Sequence, residues 1–206
     1  MSNIRKHILA LVGVAVLIMF CAVISVRTST LLNNDYWFEL QNTPSVKIVR
    51  YKIDGNDKKE LRESINKNGP TDNNGKRWDA YTYWKIKWRW PKNENNYSFD
   101  KTLVSYNITV HLPELENPNK IDRQTKSNWE HYIQQLVFHE LGHVRNILNG
   151  VKKLKNNLKE AYLNNSQLTT IEANQIAQQT LAKIRELDQR YDHETNHGQS
   201  QGVVFY

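Results

Sequence analysis

Thiol chemistry is almost absent from this chain: its 206 residues hold one cysteine, Cys21, inside an apolar run near the amino terminus. No disulfide can form in the remainder, and no cysteine nucleophile or Cys-based metal site exists there. As a lipid-attachment site Cys21 is disfavoured by the bulky Phe20 just before it. Proline and glycine are also few, five and eight, and no internal repeat or low-complexity block interrupts the chain. Beyond residue 26 no long hydrophobic run recurs. What remains, 39% hydrophobic and 24% charged, is the composition of one globular domain large enough for a real core. The net charge of +7 reads first as a solvated surface, and second as a surface able to rest on anionic lipid or cell-wall polymer.

The one apolar run, Ile8 to Val26, is nineteen residues without a charge, preceded by Arg5 and Lys6. Roughly 20 apolar residues cross the hydrocarbon layer as a helix. A cleaved signal has a shorter apolar region of about 7–15 residues, and Val23 and Ser25 offer only a poor cleavage site. The expectation is a cytoplasmic segment 1–7, a transmembrane signal-anchor or signal peptide 8–26 and a tether 27–44. A domain 45–206 follows outside the cytoplasm, either membrane-anchored or secreted. Arg27 on the far flank weakens the positive-inside asymmetry without reversing it.

Within that domain "SVKIVRYKI" (45–53) alternates and reads as a strand. "NDKKELRESINKNGP" reads as a short helix capped by Asn56 or Asp57, carrying Leu61 and Ile65 and stopped at Gly69-Pro70. In "YTYWKIKWRW" (81–90) the residues Trp84, Ile86, Trp88 and Trp90 share one face, and Tyr83, Lys85, Lys87 and Arg89 the other. Interleaved aromatic and basic residues can mark a nucleic-acid platform, but a period of two predicts a strand with one packed and one wet face. "LVSYNITVHL" (103–112) alternates likewise, and the two strands are expected to pair antiparallel across a polar loop. The second half is helical. One helix is expected from a Ser127/Glu130 capping box to a Gly150 cap, a short one over 151–163, and a third opened by Thr169/Glu172 and ending near Asp192. A polar tail closes the chain. Strands first and helices second give an α+β domain.

The first of those helices carries "FHELGHVRNIL" (138–148). His139 and His143, one turn apart, project from the same face and can reach one Zn²⁺ ion. Glu140, turned away from the ligands, is placed as general base. Gly142 costs roughly 1 kcal/mol in a helix interior, which points to close approach by another segment. A catalytic zinc commonly has three protein ligands. Asn146 and Asn149 stand where the extended H-E-x-x-H-x-x-G-x-x-H pattern needs Gly and His, so the third ligand lies elsewhere. Glu160 reads as a solvated charge and Glu172 as a cap. The remaining ligand chemistry is in "RYDHETNHGQSQG" (190–202): His197 is favoured and Asp192 is the runner-up, and the one left over becomes a partner fixing a histidine tautomer. His193 answers the helix dipole. Tyr191 is either a hydroxyl donor to a developing oxyanion or the last apolar rung of its helix.

"ELRESINKNGP", "TYWKIKWRW", "ITVHLPEL", "WEHYIQQLVFHELGHVRN" and "YDHETNHGQSQG", in that order, resemble a bacterial family called domain of unknown function 922, whose members are expected to be secreted zinc-dependent proteases. The likeness covers roughly residues 45–203. It implies a zincin-like fold: a small antiparallel or mixed sheet, a metal-binding helix and two further helices. It also implies zinc on His139, His143 and His197, Glu140 as base, and strand 103–112 as the edge that receives extended substrate. The expected function is a zinc-dependent peptidase acting on protein or peptide outside the cytoplasm. The alternatives are a non-catalytic envelope-binding domain using the basic and aromatic strand face, and a metal-dependent hydrolase of a non-peptide bond. Export argues against nucleic acid as a partner, and the N-terminal helix would make the membrane one.

Overall fold

The alternation in 46–53, 81–89 and 103–115 builds one sheet, and a long capped amphipathic run lays a helical hairpin across it. The computed structural model describes residues 36–93 and 96–205. The chain divides into units 1–39 and 40–206, and the fold is that of the second. The expected segments 1–7 and 8–26 lie outside the described residues, among which no helix is long and apolar enough to cross a membrane. Residues 36–42, within the expected tether, are helical, and Leu40 is fully buried.

The sheet contains β1 (Val46–Ile53), β2 (Tyr81–Arg89) and β5 (Leu103–Leu115) in the order β1-β5-β2. β5 pairs with β1 in parallel and with β2 antiparallel, in a register that sets Thr82 opposite Val110 and Trp84 opposite Ile108. The sheet is therefore mixed, with β5 at its centre. That corrects the reading of 103–112 as an edge: both of its sides carry ladder hydrogen bonds, and among the described residues β2 has one edge with no strand beside it. The polar loop after β2 contains a minimal hairpin, β3 (Lys92–Asn93) with β4 (Asn96–Tyr97), and a 3₁₀ turn, Phe99–Lys101. Between β1 and β2, α1 (Lys58–Asn68) begins at the Asp57 cap and buries Leu61 and Ile65.

The next helix, α2, runs unbroken from Arg123 to Asn164, 42 residues, with Asp122 rather than Ser127 as its cap. Gly150 does not end it, and the expected helix 151–163 is its continuation. The reason is tertiary. α3 (Thr170–Thr195) returns antiparallel, and at Gly150 a Cβ would stand 2.3 Å from Ile184 Cγ1. Glycine here admits a neighbour; it does not stop the helix. α3 opens with the expected Thr169/Glu172 capping box. Asn196 and His197 then adopt left-handed backbone and turn the chain back. The expected wet tail instead enters the core: Val203 and Phe205 are buried, the latter against Trp129 and Tyr132.

β2 packs as its period requires. Ile86 is buried, the Trp84 and Trp88 indoles reach Asp188 and Asn174 of α3, and Tyr83, Lys85, Lys87 and Arg89 are exposed. The start of the strand is pinned by Asp79. Its carboxylate accepts from the Arg62 guanidinium and from the Tyr132 hydroxyl (2.7 Å), and its carbonyl accepts from Tyr51. One short acid thus ties α1, β1 and α2 to the entry of β2.

Candidate metal centre

α2 supplies two buried imidazoles one turn apart, His139 and His143. α3 supplies Asp192, and its Oδ1 lies 3.3 Å from His139 Nε2 and 3.1 Å from His143 Nε2. These three groups form a cluster in which one ligand atom from each lies within 4.8 Å of the others. Ligands about 2.0–2.1 Å from a tetrahedral ion stand about 3.3 Å apart. The Asp192 oxygen stands at that separation from both imidazole nitrogens, and the donor set fits a single metal ion.

The far side of each ring is occupied. Gln201 Oε1 meets His139 Nδ1 at 2.9 Å, and Asp188 Oδ1 meets His143 Nδ1 at 3.3 Å. With Nδ1 engaged, each Nε2 is directed at the shared point. Asp188 is itself held by the Trp84 indole N–H at 3.2 Å, so an inner residue of β2 braces the centre through an acid of α3.

Tyr191 lies behind the centre. Its ring stacks on His139 (centroids 5.0 Å, planes 11° apart), and its hydroxyl donates to the His139 carbonyl at 3.3 Å while accepting from Gln201 Nε2 at 3.1 Å. Gly142 makes this possible, because a Cβ there would stand 2.2 Å from the Tyr191 hydroxyl. The close approach expected from that glycine is thus the approach of Tyr191. Gly198 does the same for the returning tail, its hypothetical Cβ 3.0 Å from His139 Cγ at a backbone φ of +83°.

Electrostatics follow from burial and pairing. Burial opposes the charge on Asp192, but hydrogen bonds from His139 and His143 outweigh it and hold the carboxyl well below the ordinary range. Burial pushes His143 down, yet Asp188 and Asp192 raise it to about 10. In the metal-free protein this imidazole is a cation clamped between two carboxylates.

In front of the centre lies a cleft of about 760 Å³, walled by the 72–79 loop, the start of β2 and the facing sides of α2 and α3. Glu140 is buried in it, and the Thr82 hydroxyl of β2 donates to Glu140 Oε2 at 2.6 Å. The loop is built on Asp72, whose Oδ1 accepts from the backbone of Asn74 and Lys76 and whose Oδ2 accepts from the Trp78 indole. Trp78 in turn packs against His197 (centroids 4.6 Å).

The sequence readings sort accordingly. His139, Glu140 and His143 meet at the cleft floor with the runner-up Asp192. His197, the favoured third ligand, stands at the margin, 46% exposed, its Nδ1 3.7 Å from Asp192 Oδ1 and its ring under Trp78. Tyr191 does not line the cleft. Glu160 and Glu172 join nothing here; Glu172 caps α3. Sequence reasoning missed Asp188, Gln201, Thr82 and Trp78. Asp188 precedes Asp192 by one helical turn and Gln201 belongs to the terminal polar string, so both carried a faint local signal. Thr82 had none, standing 58 residues from its partner.

Against known proteins, the family model described as "Bacterial protein of unknown function (DUF922)" matches residues 48–198. The chain belongs to that family. No curated protein and no solved structure matches it.

Proposed function

We propose that this member of the family is a zinc-dependent peptidase, with the cleft between β2, the 72–79 loop and the helical hairpin as its active site. One observation carries the reading. Two buried histidines one turn apart and an aspartate from the antiparallel helix aim at one point, while a buried glutamate between the histidines faces the same cleft without joining them. His139, His143 and Asp192 would hold the ion. When bound, zinc lowers the pKa of a water to about 7 and polarises a carbonyl. Glu140 takes the proton of the attacking water and passes it to the leaving amine. The Thr82 hydroxyl holds one Glu140 oxygen and orients the carboxylate. Tyr191, its hydroxyl committed to Gln201 and the His139 carbonyl, fixes the His139 ring.

A peptide substrate is favoured over a non-peptide one by the unpaired edge of β2. Residues 80–84 line the cleft on the strand's outer edge, where an extended peptide can add as a further strand. The basic and apolar amino-terminal segment supports action outside the cytoplasm, anchored or secreted.

The test is zinc content and general peptidase activity of the purified chain at neutral pH, for wild type, Glu140→Gln, Asp192→Ala and His197→Ala. Wild type should hold one zinc and cleave. Glu140→Gln should keep the metal and lose at least 10²-fold in kcat. Asp192→Ala should lose the metal, and His197→Ala should keep it. Absence of stoichiometric zinc in wild type sinks the proposal, and metal loss in His197→Ala but not Asp192→Ala reassigns the third ligand.

A further inference from the structure

The face of the sheet that β2 turns away from α3 carries charge of one sign. On β2 it presents Lys85, Lys87 and Arg89, all exposed, and on β1 Lys47, also exposed. The β5 residues opposite them are Thr109, Asn107, Ser105 and Leu103, so no Asp or Glu stands at any of these positions. Among the described residues none of the ion pairs includes these four cations; the acids paired to lysine or arginine, Glu114 among them, lie elsewhere. Same-face residues of a strand are about 6.8 Å apart, so Lys85 to Arg89 is a straight cationic row about 14 Å long. A large apolar side chain is exposed at each end of it, Tyr83 (51%) and Leu103 (46%). Tyr83 also lines the cleft, so the row begins at the cleft mouth.

We propose that this open sheet face is a docking surface for an anionic phospholipid bilayer. Charge complementarity alone would suit any polyanion. The apolar ends distinguish the partner: a soluble polyanion gives Tyr83 and Leu103 nothing to bury into, whereas a bilayer interface accepts an aromatic ring and an aliphatic side chain beside headgroup phosphates. The nineteen-residue uncharged run 8–26 of the same chain also makes a bilayer the anionic surface nearest to hand. Docking by this face brings Tyr83 of the cleft lining to the lipid, independently of what the cleft does.

The test uses the full chain reconstituted in vesicles of phosphatidylcholine alone or of phosphatidylcholine with phosphatidylglycerol at 3:1. Brief lysine acetylation is read residue by residue by mass spectrometry. Reactivity of Lys47, Lys85 and Lys87 should fall at least fivefold in the anionic vesicles at low salt and recover at high salt. Lys152 and Lys155 of α2, in the helical layer behind the sheet, should not change. In the double substitution Tyr83→Ser with Leu103→Ser, both at exposed positions, most of the protection should be lost. Equal reactivity in the two vesicle types overturns the proposal. So does equal protection by soluble polyphosphate added to the neutral vesicles, or protection that persists undiminished in the double variant; either result assigns the face to a polyanion.

Discussion

Replacing Gly142 by alanine sets two effects against each other. Helix propensity favours alanine by about 1 kcal/mol. The added Cβ would lie 2.2 Å from the Tyr191 hydroxyl oxygen, 2.4 Å from its Cζ and 2.8 Å from its Cε1, so the ring must retreat by about 1 Å to reach ordinary contact. It cannot swing aside cheaply: it stacks on His139 and its hydroxyl is held by Gln201 and the His139 carbonyl. Overpacking of this kind costs about 1–3 kcal/mol, and a weakened hydrogen bond adds about 1 kcal/mol. The expected balance is a loss of about 2 kcal/mol, or about 4–8 °C in Tm for a domain of this size. Asp192 follows Tyr191 in sequence and Gln201 holds the His139 ring, so metal affinity should fall about 10–100-fold. Gly150→Ala is the companion. Its Cβ would meet Ile184 Cγ1 at 2.3 Å and Cδ1 at 2.4 Å, the flexible end of a side chain two turns away from the metal centre. It should cost similar stability and leave metal affinity within about twofold. Thermal unfolding after chelation, with zinc titrations against a competing chelator, reads both quantities. A Gly142→Ala protein that is more stable, or less stable with unchanged zinc affinity, would refute the claim that this glycine admits Tyr191 to brace the site.

Three further outcomes are expected. Thr82→Val, which removes the donor to Glu140, should lower kcat about 10–100-fold with KM and zinc content little changed, and Thr82→Ser should restore most of it; a loss confined to KM contradicts the positioning role. Asp79→Ala strands the buried Tyr132 hydroxyl and the half-buried Arg62, whose Nε already lacks a partner, and should cost about 3 kcal/mol in urea unfolding, against almost nothing if the network is decorative. Metal-free and zinc-loaded protein should respond oppositely to pH. The raised His143 contributes stability fully below its ordinary value of 6.5, lost as pH rises towards about 10, and the depressed Asp192 contributes above 3.8, lost in acid. Chelated protein should therefore be most stable between about pH 4 and 6.5. Zinc must displace the His143 proton, so its affinity should rise about tenfold per pH unit from 6.5 to 9; parallel pH profiles of the two forms would contradict that assignment.

Local pattern determined a good deal of this protein by itself. The period of two in 81–89 decided which side of β2 is packed, because a strand's side chains alternate whatever lies above it. The four-residue spacing of His139 and His143 decided that they share a face, and the cost of Gly142 in a helix announced a close neighbour. Capping chemistry fixed the starts of α1 and α3, where the hydrogen bonds are local. What pattern left open depended on which segment crosses which. Gly150 reads as a stop in sequence and is a crossing point in space, since a glycine is silent about whether a turn or a neighbour needs its missing Cβ. β5 reads like any alternating strand, and only the order β1-β5-β2 makes it central and leaves the outer positions to β1 and β2. The third member of the candidate metal cluster was decided in the same way. Sequence favours His197 over Asp192, five residues before it, and the antiparallel return of α3 across Gly142 sets Asp192 on the two imidazoles while the left-handed turn at 196–197 carries His197 to the cleft margin under Trp78. Side-chain chemistry and period are properties of a few neighbouring residues, so sequence states them; the meeting of Thr82 with Glu140, or of Trp84 with Asp188, exists only once distant segments pack.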